Sequence, residues 1–129
     1  MQADIQAPHR TTAVRFLMLD TLQWHLTFAA SDEAAIIDTL EAIEQYGRYE
    51  PSVVVKAIRR VVSLLRRCPT AKLVIGREYS PVLYVYLPPE KVDAVWAILK
   101  GTAPDYPEYG EMNVEDDRDA RKKIRIWWD

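Results

Sequence analysis

Few side chains in this sequence have the type and spacing for bond-making chemistry. Its two histidines are His9 and His25. His9 falls in a polar N-terminal stretch. His25 falls in a run of alternating apolar and polar residues, with Asp20 its nearest carboxylate in sequence. An imidazole is well suited to proton transfer near neutrality. His25 paired with a carboxylate from a distant part of the chain is therefore the arrangement that would make this an enzyme. A single histidine on a strand is more often a surface or interface residue. Cys68, the one cysteine, precedes Pro69 at an expected helix end, where the negative end of the helix dipole disfavours a thiolate. Glu111, Glu115, Asp116, Asp117 and Asp119 could offer oxygens to a hard cation. Their spacing lacks the glycine and terminal glutamate of a calcium loop, so a solvated turn is the plainer reading. With four glycines in all, no glycine-rich phosphate cradle is present. No catalytic residue, metal or cofactor is expected.

Binding chemistry is better represented. Tyr84 and Tyr86 alternate along one candidate strand, and Lys123, Arg125 and Trp127 along another. If aliphatic faces turn to the core, His25, Gln23, Tyr84, Tyr86, Lys123, Arg125 and Trp127 collect on one open face. Rings flanked by cations can stack bases and hold phosphates. They can equally pack against a second copy or another protein, and that reading is preferred here. Val82–Leu87 also lacks the Lys/Arg-Gly-aromatic lead of an RNA-recognition motif. A second binding candidate is a basic stripe of Lys56, Arg60 and Arg67, aligned with Ser63 at helical spacing. The segment before it, Ser31–Gln45, carries only acids: Asp32, Glu33, Asp38, Glu41 and Glu44. The stripe could dock on phosphates or on an acidic protein. The plainer alternative is that the two helices neutralise one another along their flanks.

The elements that must position these residues follow from periodicity. Val82, Tyr84 and Tyr86 share one face of a strand, and Leu83, Val85 and Leu87 the other. Pro88-Pro89 stops it and opens a helix on which Val92, Val95, Trp96 and Leu99 recur at three-four spacing up to Gly101. Upstream, Thr12–Leu19 reads as a strand. Leu22–Phe28 reads as another, with Leu22, Trp24, Leu26 and Phe28 on one face. Ser31 starts a helix through Ile36, Ile37, Leu40 and Ile43, ended by Gly47. Pro51 opens a second, to Arg67, despite the β-branched Val53-Val54-Val55. Lys72–Ile75 is a short strand and Gly76–Ser80 its connection. Thr102–Glu111 reads as an ordered loop, Met112–Glu115 as a short strand, and Arg121–Trp128 as the last strand.

Length and composition bound the rest. A chain of 129 residues with 49% hydrophobic and 28% charged residues is one globular domain on priors, here 11–129 behind a flexible polar arm at 1–10. One cysteine allows no internal disulfide and fits a reducing, cytoplasmic setting. No apolar run reaches a membrane-spanning length. A net charge of −2 argues against a wholly basic nucleic-acid binder.

The order strand, helical hairpin, strand, strand, helix, strand predicts an α+β fold. It reads as a ferredoxin-like split βαβ sheet with helices on one face, the first crossover a helical hairpin, and extra N- and C-terminal strands. The function expected is that of a small non-enzymatic interaction protein, of the size of accessory subunits, inhibitors and small phage or plasmid proteins. Its partner would be another protein or itself. Single-stranded nucleic-acid binding on Tyr84 and Tyr86 is the first alternative, and an enzyme using His25 the second.

Overall fold

The computed structural model describes residues 23–103, 107–117 and 121–129. The expected Thr12–Leu19 strand, the 1–10 arm, His9, Leu22, Asp119 and part of the expected Thr102–Glu111 loop lie outside them. The described chain folds as α+β, with a five-stranded antiparallel sheet and three α-helices. In chain order these are β1 (Gln23–Ala29), α1 (Glu33–Ala42), α2 (Pro51–Leu65), β2 (Lys72–Glu78), β3 (Ser80–Leu87), α3 (Val92–Lys100), β4 (Gly110–Asp116) and β5 (Lys122–Trp128). Short 3₁₀ turns at Pro89–Lys91 and Pro107–Tyr109 precede α3 and β4.

The strand order is β1-β2-β3-β5-β4. This corrects the split βαβ expectation, in which the first strand would lie between Val82–Leu87 and Lys123–Trp128 and run parallel to the former. Instead β1 pairs with β2, antiparallel, and β3 pairs directly with β5. The reason lies in the crossover itself. One helix between two strands returns the chain to its starting end, so the strands run parallel. Two helices reverse it once more, so β2 comes back antiparallel and can pair beside β1. The helical hairpin was legible in the sequence, and its consequence for strand direction excludes the split βαβ order.

The helices form through their buried stripes. α2 opens with Pro51 at its first position, where the missing N–H costs nothing. It buries Val54, Val55, Ala57, Ile58, Val61, Val62 and Leu65, and that burial overrides the modest helix propensity of its valines. α1 stops earlier than expected, at Ala42, because Ile43 turns extended and buries its side chain. The chain then reverses at Gly47 (φ +56°), and Tyr46 and Tyr49 exchange both backbone hydrogen bonds.

All three helices and strands β1, β2, β3 and β5 contribute to one apolar cluster. Trp128 anchors its lower end. It is buried, edge-on to Tyr46 at 5.1 Å, and its Nε1 donates to the Thr102 carbonyl at 2.7 Å. Alternation along each strand sends Trp24, Leu26, Phe28, Leu73, Ile75, Leu83, Val85, Leu87, Ile124 and Ile126 into this cluster. The opposite sheet face is left to His25, Glu78, Tyr84, Tyr86, Lys123, Arg125 and Trp127. Among the described residues, no helix is long and apolar enough to cross a membrane.

Candidate functional site

The largest difference from the sequence reading lies in β2. The strand does not end at Ile75. It runs through Gly76 and Arg77 to Glu78, and Tyr79 alone makes the turn into β3 with φ +66°. Glu78 therefore belongs to a strand, on the open face with Val74 and Gly76. The sequence places it in the Gly76–Ser80 connection; in the structure it is the centre of the site.

Cross-strand registers place His25 opposite Gly76, Gly76 opposite Val82, and Val82 opposite Trp127. Tyr84 stands opposite Val74, four residues along β2 from Glu78, or about 13 Å of strand. Two long side chains can still meet across that distance, because Gly76 between them has no side chain. A Cβ at Gly76 would lie 2.2 Å from the Trp24 carbonyl oxygen and 2.9 Å from His25 Cδ2. The bare backbone lets β1 and the imidazole sit close.

Over this gap Glu78 gathers three donors. His25 Nε2 donates to its Oε2 at 2.9 Å, and the Tyr84 hydroxyl to the same oxygen at 2.6 Å. Arg125 Nη2 donates to Oε1 at 3.0 Å. A carboxylate only accepts, so the contact makes Nε2 the proton-bearing nitrogen of His25. Arg125 also reaches the Tyr84 hydroxyl through Nε at 3.3 Å, and Glu111 through Nη1. Trp127 Nε1 donates to the Glu78 backbone carbonyl at 3.1 Å. Burial works to raise the Glu78 carboxyl, but the hydrogen bonds from Tyr84, His25 and Arg125, with the guanidinium charge, outweigh it and hold it below the ordinary range. Burial, and then the hydrogen bond to Glu78, push the Tyr84 phenol above its ordinary value. Desolvation works against the Arg125 charge, yet its bonds to Glu78 and Tyr84 leave it more firmly protonated.

Beside this network the aromatic face is backed by cations. Lys123 Nζ lies 5.7 Å from the Tyr84 ring centroid and 6.0 Å from that of Tyr86. The Arg121 guanidinium lies 5.1 Å from Tyr86. These cations are themselves paired. Lys123 meets Glu115 at 3.3 Å, Arg121 meets Asp117 at 2.7 Å, and Lys122 meets Asp116. The acidic run read as a solvated turn is, for its described members, the counter-charge of β5 and of Arg121 just before it. Among the described residues, no group of His, Cys, Asp and Glu is arranged to hold a metal ion.

The structure thus places His25, Tyr84, Tyr86, Lys123, Arg125 and Trp127 on one sheet face. It adds Glu78 and Arg121, which the reading missed. The signal for Glu78 lies in the sequence: Lys72, Val74, Gly76 and Glu78 alternate with Leu73 and Ile75, but a glycine after Ile75 also reads as the start of a connection. Lys56 and Arg60 are exposed on the outer side of α2 and Arg67 in the turn that follows it, in the helical layer, and they form no part of this cluster. In chemical terms the His25–Glu78 pair orients an imidazole, but Glu78 is also engaged by Tyr84 and Arg125. The network is closed on itself and holds β1, β2, β3 and β5 together. No protein-family model, curated protein or solved structure matches the chain.

Proposed function

We propose that this chain is a small non-enzymatic interaction protein that docks another protein on the open face of its sheet. The observation that carries the reading is the composition and internal pairing of that face. Tyr84, Tyr86, Trp127 and His25 are half-buried there, and the charges between them are matched: Arg125 with Glu78 and Glu111, Lys123 with Glu115. Aromatic residues and arginine, with little unmatched charge, are what protein interfaces favour. Tyr79 extends the surface at the tip of the β2–β3 turn, 66% exposed in a backbone conformation that tyrosine rarely adopts. A cytoplasmic setting fits the single cysteine.

The same pairing weakens the nucleic-acid reading. To meet a phosphate, Lys123 and Arg125 would first have to leave their carboxylates, and the tyrosine rings already have cations beside them. The test is affinity capture from the source cells, run in parallel with wild-type protein and a Tyr86→Ala/Trp127→Ala variant shown to be folded by circular dichroism. A protein retained at fixed ratio by the wild type and lost by the variant is the expected result. Equal retention by both would overturn the reading. So would single-stranded oligonucleotide binding that the variant abolishes.

A further inference from the structure

The helical layer has a charge pattern that the sheet-face reading does not use. α1 and α2 pack side by side and antiparallel. Glu33, at the start of α1, approaches Arg66, just past the end of α2, at 3.8 Å. Glu41, at the end of α1, shares a groove with Ser52, Val55, Lys56 and Arg59 of the first half of α2. The outer side of α1 exposes Asp38 and Glu41, with Glu44 beyond its end. The outer side of α2 exposes Lys56, Arg59, Arg60 and Ser63, with Arg66 and Arg67 in the following turn. The two helices therefore present adjacent stripes of opposite sign. The expectation that they neutralise one another along their flanks is met only by the long Arg66–Glu33 contact. Among the described residues, Asp38, Glu41, Glu44, Lys56, Arg59, Arg60 and Arg67 make no ion pair.

We propose that this layer is a self-complementary surface for a second copy of the chain. Consider a two-fold axis parallel to the helices and passing between α1 and α2. It lays α1 of one protomer on α2 of the other, and the reverse, and it keeps every residue at its own height along the axis. The heights already match within one chain, since Glu41 lies level with Lys56 and Arg59, and Glu33 with Arg66. Across the two-fold, Glu41 of one protomer then meets Lys56 and Arg59 of its partner, and Asp38 meets the Arg59–Arg60 level. An axis perpendicular to the helices would set acid on acid and base on base, so charge selects the first. Such an interface is isologous, with helices of the two copies packing about 8–10 Å apart. Val53, 43% exposed at the start of α2, and the Pro51–Val55 groove supply apolar contact beside the charged rows.

The same geometry disfavours a nucleic acid on the α2 stripe. The α1 acids lie one helix spacing away, about 8–10 Å, which is close to a Debye length in physiological salt. A polyanion as wide as a duplex would meet them as well. A two-fold dimer turns its two open sheet faces outward, on opposite sides. The proposal stands independently of what those faces bind.

The experiment is sedimentation velocity on the full chain across a salt series, with charge-reversed variants. At low ionic strength the species expected is a dimer of the 14.9 kDa chain. It dissociates as salt rises, because exposed ion pairs are individually weak and screened, with at least about a ten-fold loss of affinity toward 0.5 M salt. Lys56→Glu/Arg60→Glu gives a monomer, and so does Asp38→Lys/Glu41→Lys. Mixed, the two variants form a one-to-one heterodimer, since each then offers the other the missing sign on both helices. This restoration also shows that both variants are folded. A monomer at low salt overturns the proposal, as does a dimer indifferent to salt and to both reversals. Failure of the mixture to pair when both variants are folded overturns it too.

Discussion

The hydroxyl of Tyr84 donates to Glu78 Oε2 at 2.6 Å although their positions are four residues out of register on neighbouring strands. The contact passes over Gly76, and it ties the middle of β3 to the end of β2. Around it the polar groups of the open face pair with one another, so the face joins four strands with few dangling charges.

Glu78 makes this network dependent on acid. Its carboxyl is held below the ordinary range in the folded chain: burial opposes this, but the bonds from Tyr84, His25 and Arg125 prevail. A carboxyl with a lowered folded pKa stabilises the fold above its unfolded pKa, and that contribution disappears as pH falls through the folded value. Glu78→Gln should therefore cost about 1–3 kcal/mol at neutral pH, and the gap from wild type should close through the carboxylate range. Urea unfolding at stepped pH measures it. A gap that does not change with pH would show that the Glu78 charge is not what matters.

Gly76→Ala should be among the more damaging small substitutions in the sheet. The added methyl would stand 2.2 Å from the Trp24 carbonyl oxygen, which is backbone and cannot swing away. Strand β1 must shift, at a cost of about 1–3 kcal/mol. Hydrogen exchange should show the β1 amides losing protection before those of β3 and β5. Uniform protection with unchanged melting would contradict the close approach.

The two fully buried tryptophans should respond differently to loss of the indole N–H. Trp128 Nε1 donates to the Thr102 carbonyl, whereas Trp24 Nε1 is buried with no partner among the described residues. Both replacements by phenylalanine lose volume, but only Trp128→Phe also leaves a carbonyl without its donor. It should cost about 1 kcal/mol more than Trp24→Phe, read as the difference between their denaturation midpoints.

Tyr79→Gly should raise stability. The left-handed backbone costs a non-glycine residue about 1–2 kcal/mol, and the extra freedom of glycine in the unfolded chain returns about half of that. The net gain is about 0.5–1 kcal/mol, or a few degrees in Tm. If Tyr79 anchors a partner, the same variant binds that partner more weakly while melting higher. A lower Tm would mean that the tyrosine packs against the turn more than its exposure indicates.

How much of this was legible in the sequence differs between local and long-range features. Alternation in Gln23–Phe28, Val82–Leu87 and Lys123–Trp128 assigned the faces correctly, because side-chain direction in a strand depends only on position parity. Helical spacing likewise placed the stripes of α1, α2 and α3, and the charge segregation of the first two needed nothing beyond the residue list. Strand order did not follow from such local rules. It depended on how many times the crossover reverses the chain, and two helices sent β2 back beside β1. Glu78 was lost for a related reason. A glycine marks a chain break or a close approach of two backbones, and these are indistinguishable until the neighbouring strand is in place. Only the tertiary structure put the Trp24 carbonyl and the His25 ring against Gly76. That contact extended β2 to Glu78 and brought His25, Tyr84 and Arg125, from three different strands, onto one carboxylate.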